Sequence, residues 1–279
     1  MVEPKCFDHL GLNVEATLTQ AKRLYQNRAV GEASPQENRD ASRLFFIEGV
    51  RNFVRVSDNR FELVTILFSE KLLTAPLARK LVRQARRDGV PTLNLTPEQF
   101  RQISYTERAS GIAAIVKQRW SRLDEISPQA GLCWLALEMV RSSGNLGTLI
   151  RTSEAVGAAG LILIGDRIDP YDPDVMRASM CGVFSQQLVR TSFDRLADWL
   201  QRHRCQVIGA SPEGKCDLHQ FDYPRLTVLF LGEERQGLTS QQRELCHHLV
   251  RIPMVGDADS LNLGVAGSLM LYEVYRSRS

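Results

Sequence analysis

The sequence predicts an α/β protein with two domains, and three observations indicate this class. Apolar, strand-like runs alternate with helical segments along most of the chain. The 279 residues are 43% hydrophobic, which is enough for one large core or two ordinary ones. A run that contains Pro128, residues 121–130, separates two such alternating stretches. The predicted organisation is a partly helical N-terminal extension (1–43), a small domain (44–120), the linker (121–130) and a larger domain (131–279).

The front half predicts a small α/β sandwich. A short helix is expected over residues 13–30, and the polar residues 31–42 are expected to form a mobile loop. The βαβα alternation that follows predicts a helix from residue 48 to about 56, another over 76–88 and a third that begins at Thr96. The predicted strands are Leu44–Ile47, Leu63–Phe68, Val90–Leu95 and Gly111–Val116.

Charge is distributed unevenly between the two halves of the chain. Residues 1–125 hold 20 Lys/Arg and 15 Asp/Glu, whereas the remainder holds 15 and 17. A mildly basic front half beside a near-neutral back half suits a polyanion-binding module attached to a catalytic one. An ordinary solvated surface would give the same totals, so charge alone leaves both interpretations open.

The back half repeats the alternation, which by itself predicts a doubly wound parallel sheet. Helices are expected over 145–156, 193–203 and 240–248, with a last helix that begins at Ser260, and residues 166–174 are expected to form a loop rich in Asp and Pro. The predicted strands are Leu132–Leu137, Leu161–Gly165, Val207–Ala210, Leu226–Gly232 and Leu249–Met254.

Several functional classes are disfavoured. No run approaches 18 apolar residues and the N-terminus lacks a basic-then-apolar signal, so we expect a soluble, cytoplasmic protein. The six cysteines form no C-x-x-C pair. Cys246-His247-His248 is not expected to bind zinc, because adjacent residues point to different helix faces and no second cluster exists. Neither G-x-G-x-x-G nor a P-loop follows a strand.

Three stretches place polar residues between a strand and a helix. In Gly144–Thr152, Asn145 stands at the start of a helix and Arg151 lies two turns inside it; the alternative is a surface arginine with a buried stem. In Thr227–Leu238, an apolar strand ends in a turn with two carboxylates and two glycines. The glycines would let the backbone approach a ligand closely; the alternative is that they only shape the turn. In Ile252–Tyr272, Ser260 and Asn262 lie at the start of a helix. They would either bind a ligand there or only cap the helix.

Taken together, these stretches resemble a known family. G-N-L-G-T-L-I-R-T, L-G-E-E-R-Q-G-L and I-P-M-x-G-x-x-x-S-L-N-L-x-x-A with Y-E-x-x-R resemble, in order and spacing, the three motifs of the SpoU/TrmH family of RNA ribose 2′-O-methyltransferases. The resemblance covers about residues 130–279. Phe46-Ile-Glu-Gly49 and Thr106-Glu-Arg-Ala-Ser-Gly-Ile112 resemble the ribosomal-protein-like RNA-binding domain of many ribosomal-RNA members, although more loosely.

The resemblance implies a SPOUT-class domain, which is a parallel sheet whose C-terminal segment forms a deep trefoil knot. It also implies S-adenosylmethionine as cofactor, no metal, and a homodimer with the last helix in its interface. By position, the cofactor would meet Ala210, Leu231, Gly232, Ile252, Leu261 and Asn262. Glu233 stands where the family usually has a small or neutral residue, and a carboxylate there is expected to weaken cofactor binding.

The resemblance also implies roles in catalysis and RNA binding. Arg151 would activate the ribose hydroxyl or, more simply, position an RNA phosphate and stabilise the developing alkoxide. Asn145, Glu234, Ser260 and Asn262 would orient Arg151, the cofactor loops and the ribose. The front domain favours ribosomal over transfer RNA as substrate. Its expected phosphate contacts are Arg51, Arg79, Lys80, Arg83 and Arg86.

Three alternatives remain open from the sequence. The first is a transfer-RNA ribose methyltransferase, and the second is an RNA-binding or ribosome-assembly protein of the same fold without methyl transfer. The third is a nucleotide-dependent metabolic enzyme, which the missing phosphate-loop signatures disfavour.

Overall fold

The computed structural model describes residues 13–26 and 33–278, and the chain forms two compact α/β units, Met1–Gln118 and Arg119–Ser279. Each unit has its own sheet and its own core. The predicted α/β class is therefore confirmed.

The first unit holds a four-stranded mixed sheet in the order β1-β4-β2-β3. Strand β4 pairs antiparallel with both β1 and β2, and β2 pairs parallel with β3. The strands are β1 (Leu44–Glu48), β2 (Leu63–Phe68), β3 (Thr92–Asn94) and β4 (Ile112–Lys117). The helices are α1 (Val14–Arg23), α2 (Pro35–Ser42), α3 (Val50–Asp58), α4 (Pro76–Arg87) and α5 (Pro97–Arg101).

The two short motifs of the front half meet at one buried carboxylate. Glu48, at the end of β1, accepts hydrogen bonds from Ser104 Oγ (2.8 Å), the backbone N–H of Tyr105 (2.9 Å) and Thr106 Oγ1 (3.0 Å). The backbone N–H (3.3 Å) and Oγ (3.4 Å) of Ser110 also donate to it. A buried carboxylate needs such donors, so Glu48 fixes the loop before β4 to the end of β1.

The expected loop over residues 31–42 is wrong for most of its length, because α2 occupies Pro35–Ser42. Ser34 caps this helix, with its Oγ accepting from the backbone N–H of Glu37 (3.2 Å), while Glu37 Oε2 accepts from the backbone N–H of Ser34 (2.6 Å). Arg39 is buried and donates to the carbonyl of Leu24. This capping box and the buried arginine hold the polar segment helical. The parts of the two predictions that fall on residues 27–32 lie outside the described residues.

The second unit is a seven-stranded parallel sheet in the order β7-β6-β5-β10-β8-β11-β9. Its strands are β5 (Trp134–Leu137), β6 (Gly160–Ile164), β7 (Gln187–Thr191), β8 (Gln206–Ala210), β9 (Cys216–Asp217), β10 (Thr227–Leu231) and β11 (His248–Arg251). Its helices are α6 (Ser143–Ala155), α7 (Pro173–Ala178), α8 (Phe193–His203), α9 (Ser240–Leu245) and α10 (Leu263–Arg276).

Sequence reasoning misplaced several boundaries in this unit. The last helix begins at Leu263 rather than Ser260, because Asn262 supplies the cap and accepts from the backbone N–H of Val265 (3.2 Å). The Asp/Pro-rich segment continues into a short helix, α7, and the chain between it and α8 forms β7, which was not predicted. Within the expected linker, Leu123 and Ile126 are buried in the core of this unit.

Glycines let α6 pack closely against both of its neighbours. A Cβ added to Gly147 would lie 2.3 Å from the Cβ of Ala178 on α7, and one added to Gly267 on α10 would lie 2.4 Å from Leu149 Cδ2. Real Cβ atoms do not approach this closely, so a side chain at Gly147 would require the backbone of α7 to move, whereas one at Gly267 would require the leucine side chains beside it to shift. The small-residue face of α10 is thus used within the chain, against α6 and β10.

Candidate active site

A cavity of about 390 Å³ lies where strands β8, β10 and β11 of the parallel sheet end. The carboxyl edge of such a sheet is the usual place for a ligand. Apolar residues from the strand ends and the first turn of α10 form part of the wall, and charged, uncharged polar and small residues form the rest. The lining residues are 210–213, 231–238, Arg243, Ile252, Met254, 259–261, Leu263 and Ala266.

Most residues that were expected to hold the cofactor line this one cavity. They come from three separate segments, and the lining includes Ala210, Leu231, Gly232, Ile252 and Leu261. Asn262 does not line it, because its side chain caps α10. The cap places the first turn of α10 against the cavity, so Asn262 acts on the wall indirectly.

The turn after β10 is held so tightly that it requires glycine. Glu233 and Gly237 exchange two backbone hydrogen bonds of 3.1 Å each. A Cβ on Gly232 would lie 2.1 Å from the carbonyl carbon of Gly237. The chain therefore folds back on itself at Gly232, and the residues of this turn line the cavity.

Glu234 fastens this turn to the start of α6. Its Oε1 accepts from the backbone N–H of Arg141 (3.1 Å), the backbone N–H of Ser142 (3.4 Å) and Asn145 Nδ2 (3.1 Å). Burial alone would raise the pKa of Glu234, but the donors, Asn145 foremost, outweigh it and lower the pKa below its ordinary value. Two of the three motifs are therefore joined by one ionised carboxylate.

We expect the contribution of the Glu234 carboxylate to the stability of the protein to depend on pH. Because the folded-state pKa of Glu234 lies below the unfolded value, its contribution is fully present above about pH 4.5 and is lost as the pH falls through the folded pKa. The difference in melting temperature between wild type and Glu234→Gln should therefore be largest near pH 7 and shrink below pH 4.5. A difference independent of pH would contradict this account.

Arg151 lies apart from the cavity. It is exposed on α6 and, among the described residues, no hydrogen bond or ion pair engages its guanidinium. It borders a separate depression of about 620 Å³ together with Thr152, Tyr272 and Tyr275. Thr152 Oγ1 lies 2.8 Å from Ser268 Oγ, which joins α6 to α10 beneath it. Within one chain, Arg151 and the cavity are thus on different surfaces, whereas Glu234 and Ser260 line the cavity itself.

Two contacts near the cavity were missed from the sequence. Arg141, just after β5, forms an ion pair with Glu233 (3.3 Å), and Arg243 on α9 forms one with Glu213 (2.6 Å). The Glu213 loop lies between β8 and β9, where no sequence signal marked it. Ser142 was recognisable, because a serine just before a helical segment is a common N-cap.

In the first unit, the five residues expected to bind RNA are exposed on α3 and α4. Arg79, Arg83 and Arg86 border a groove of about 350 Å³, and the Arg86 guanidinium lies 5.5 Å from the centroid of the Phe68 ring. Lys80 is on α4 but outside this groove, and Arg51 is on α3. The structure thus brings three of the five cations together.

Two negative findings apply to residues 13–26 and 33–278. None of the helices in these residues combines the length and the hydropathy of a membrane-spanning segment. No group of three or more His, Cys, Asp or Glu side chains is arranged to hold a metal ion.

The fold and the cavity define an α/β domain that binds a small molecule at the carboxyl edge of a parallel sheet. The model of the SpoU rRNA methylase family matches residues 133–272, and that of the MRM3-like substrate-binding domain matches 34–114. This chain belongs to the SpoU rRNA methylase family.

Individual relatives agree with this assignment. The chain is 31% identical to the 23S rRNA (uridine(2479)-2′-O)-methyltransferase of Streptomyces viridochromogenes, over 84% of this chain and 83% of that protein. It is 28% identical to the 23S rRNA (guanosine-2′-O-)-methyltransferase RlmB of Pseudomonas syringae pv. tomato, over 94% of this chain and 98% of that protein.

Two solved structures are similar to most of this chain. The SpoU methyltransferase AviRb of S. viridochromogenes in complex with AdoMet superposes with a TM-score of 0.83, 30% identity and coverage of 94% of this chain and 98% of that one. The AdoMet-bound rRNA methyltransferase of Sinorhizobium meliloti superposes with a TM-score of 0.82 and 30% identity, over 93% of this chain and 94% of that one. The parallel-sheet domain therefore matches those of SpoU methyltransferases.

Proposed function

We propose that this protein transfers a methyl group from S-adenosylmethionine to a ribose 2′-hydroxyl of ribosomal RNA, in the cytoplasm. The observation that carries the proposal is that five residues expected to bind the cofactor line one cavity at the edge of the sheet, which the second and third motifs help to form. The first motif is joined to this cavity through the hydrogen bond from Asn145 to Glu234. Family membership and the named activities of the relatives support the same reaction.

The cavity suits this cofactor. Its volume of about 390 Å³ is within the usual range for small-molecule sites. Gly232 has no side chain, so a cofactor can approach the backbone there closely. Leu231, Ile252 and Leu261 supply an apolar wall for an adenosine. When bound, S-adenosylmethionine supplies a methyl group that a positively charged sulfur activates. We propose that Ala210, Leu231, Gly232, Ile252 and Leu261 hold it, with Asn262 fixing the loop.

The remaining chemical problem is the hydroxyl, which is a poor nucleophile near neutral pH. The protein must align it with the methyl group and stabilise the negative charge that develops on its oxygen. We propose that Arg151 does this, because a guanidinium keeps its charge and binds a phosphate and an alkoxide through parallel N–H groups. Glu234 and Asn145 hold the two motifs together, and Ser260 orients the ribose.

We also propose that the protein works as a homodimer through α10. The solvent-facing side of this helix carries Val265, Leu269 and Tyr272 at helical spacing, and all three are exposed within one chain. Arg151 borders the same surface rather than its own cavity. A second copy packed there would bring the Arg151 of one chain toward the cavity of the other, so that each site would straddle the interface.

Leu269→Glu is expected to convert the dimer to a monomer, because it would bury a carboxylate in an apolar interface. Sedimentation velocity would report the change in mass. Leu77→Glu is the control, since Leu77 is also an exposed leucine on a helix but lies in the first unit. An unchanged dimer in Leu269→Glu would show that α10 is not the interface.

The division of labour within the chain is likewise a proposal. Residues 44–120 would bind the substrate RNA, with Arg51, Arg79, Lys80, Arg83 and Arg86 on its phosphates, and 131–279 would carry out the transfer. The exposed positions of the five cations and the match to a substrate-binding domain support this. We further propose that the C-terminal segment forms the deep trefoil knot of the SPOUT class and that the first unit is an α/β sandwich.

The choice of RNA is tested by competition. Purified unmodified 23S ribosomal RNA and transfer RNA would be offered together with labelled S-adenosylmethionine. Label in the ribosomal RNA alone is expected, whereas label in the transfer RNA would favour the alternative substrate. Cofactor and RNA binding without label in either would favour a non-catalytic RNA-binding protein of this fold.

A further inference from the structure

The resemblance alone led us to expect that the carboxylate of Glu233 weakens cofactor binding. From its position in the structure we infer the opposite for the charged cofactor: Glu233 makes the cavity prefer positively charged S-adenosylmethionine over its neutral product. The inference rests on the proposed function. At neutral pH, S-adenosylmethionine carries a sulfonium, an ammonium and a carboxylate, so its net charge is positive. Loss of the methyl group turns the sulfonium into a thioether, and S-adenosylhomocysteine is therefore neutral overall. A negative charge fixed beside the cavity discriminates between the two molecules by that one charge.

Glu233 is the carboxylate best placed to do so. It lines the cavity, yet only 12% of its side chain is exposed. Its Oε2 lies 3.3 Å from Arg141 Nη2, whereas its Oε1 is buried and, among the described residues, has no hydrogen-bond partner. The two backbone hydrogen bonds to Gly237 fix the backbone of Glu233, and the ion pair with Arg141 orients its carboxylate.

The ion pair does not cancel this charge, because its two partners are in different environments. The side chain of Arg141 is 55% exposed, so water and salt ions screen the guanidinium. The carboxylate is mostly buried, where a charge acts over a longer range. The potential that reaches the cavity from this pair is therefore negative.

The other carboxylates on the wall do not offer the same combination of burial and an oxygen without a hydrogen-bond partner. Glu213 is a surface carboxylate, 76% exposed and paired with Arg243 at 2.6 Å. Glu234 is already bound by three donors from the start of α6. Asp259 is exposed. Glu213 thus provides a matched control, because it is the same residue type on the wall of the same cavity but is solvated.

The experiment measures the dissociation constants of S-adenosylmethionine and S-adenosylhomocysteine by titration calorimetry at low salt, with wild type, Glu233→Gln, Glu213→Gln and Arg141→Gln. The preference is the ratio of the two constants. Glu233→Gln is expected to lower the preference for the charged cofactor by roughly three- to tenfold, the size of one partly buried charge acting across a small cavity. Glu213→Gln should leave it within about twofold, because its charge is screened. Arg141→Gln should raise it, because the carboxylate loses its counter-charge.

Several outcomes would overturn the inference. Equal weakening of both ligands in Glu233→Gln would mean that the residue only supports the turn, and an equal loss of preference in Glu213→Gln would mean that its burial is irrelevant. A lowered preference in Arg141→Gln would contradict the sign of the argument. Failure of the wild type to bind either ligand would instead refute the proposed function.

Discussion

Arg151→Ala is expected to lower the rate of methyl transfer by about 10²- to 10³-fold, which is the usual cost of removing one group that stabilises charge in a transition state. The affinity for S-adenosylmethionine should stay within about twofold of wild type, because Arg151 does not line the cavity of its own chain and, in the proposed dimer, would contact the RNA rather than the cofactor. The folded stability should also be unchanged, since the side chain is exposed and has no partner among the described residues.

Single-turnover kinetics with saturating cofactor and RNA would isolate the transfer step. Arg151→Lys should recover only part of the rate, because an ammonium cannot reproduce the parallel N–H groups of a guanidinium. Arg202→Ala, which removes another exposed arginine of the same unit, is the control and should have no effect. If Arg151→Ala transferred methyl groups as fast as Arg202→Ala, Arg151 would have no role in the reaction.

Gly232→Ala is expected to weaken cofactor binding by more than about tenfold and to destabilise the fold by roughly 1–3 kcal/mol, the usual cost of forcing a methyl group into a packed site. The added Cβ would lie 2.1 Å from the carbonyl carbon and 2.3 Å from the carbonyl oxygen of Gly237. Because both neighbours are backbone, the turn itself must open. The segment that carries Glu233 and Glu234 would then shift.

Calorimetric titration and thermal unfolding would measure the two effects of Gly232→Ala. Gly144→Ala is the control, because its Cβ would meet only Ser142 Oγ at an ordinary 3.5 Å and alanine favours a helix. That variant should bind the cofactor normally and be as stable as wild type or more so. Normal cofactor binding by Gly232→Ala would show that this turn does not shape the site.

The amount of structure that the sequence predicts differs between the elements. Strands such as β2, β4 and β10 were found because their apolar runs are buried on both faces. Helix α2 was missed because its residues are nearly all polar, although Ser34, Pro35 and Glu37 form a readable capping box. Strand β7 was missed because Gln187 and Arg190 interrupt its apolar pattern.

The sequence predicted only those residues of the site that lie within linear motifs. Leu231, Gly232 and Ile252 lie within motifs that a linear pattern can carry, and the structure brings them to one cavity. Arg141 and Glu213 were not predictable, because their contacts with Glu233 and Arg243 join segments that only the folded sheet brings together. The separation of Arg151 from the cavity could not be predicted from the sequence either, because the spacing of motifs along a chain does not show which surface of the protein each motif faces.

The most direct test of the central claim is the chemical position of the transferred methyl group. Unmodified 23S ribosomal RNA would be incubated with the protein and labelled S-adenosylmethionine, digested to nucleosides and analysed by mass spectrometry. The account predicts one labelled nucleoside with its methyl group on the ribose 2′-oxygen, which also protects the adjacent phosphodiester from alkali. A methyl group on the base, or no labelled nucleoside from a folded protein that binds both cofactor and RNA, would contradict it.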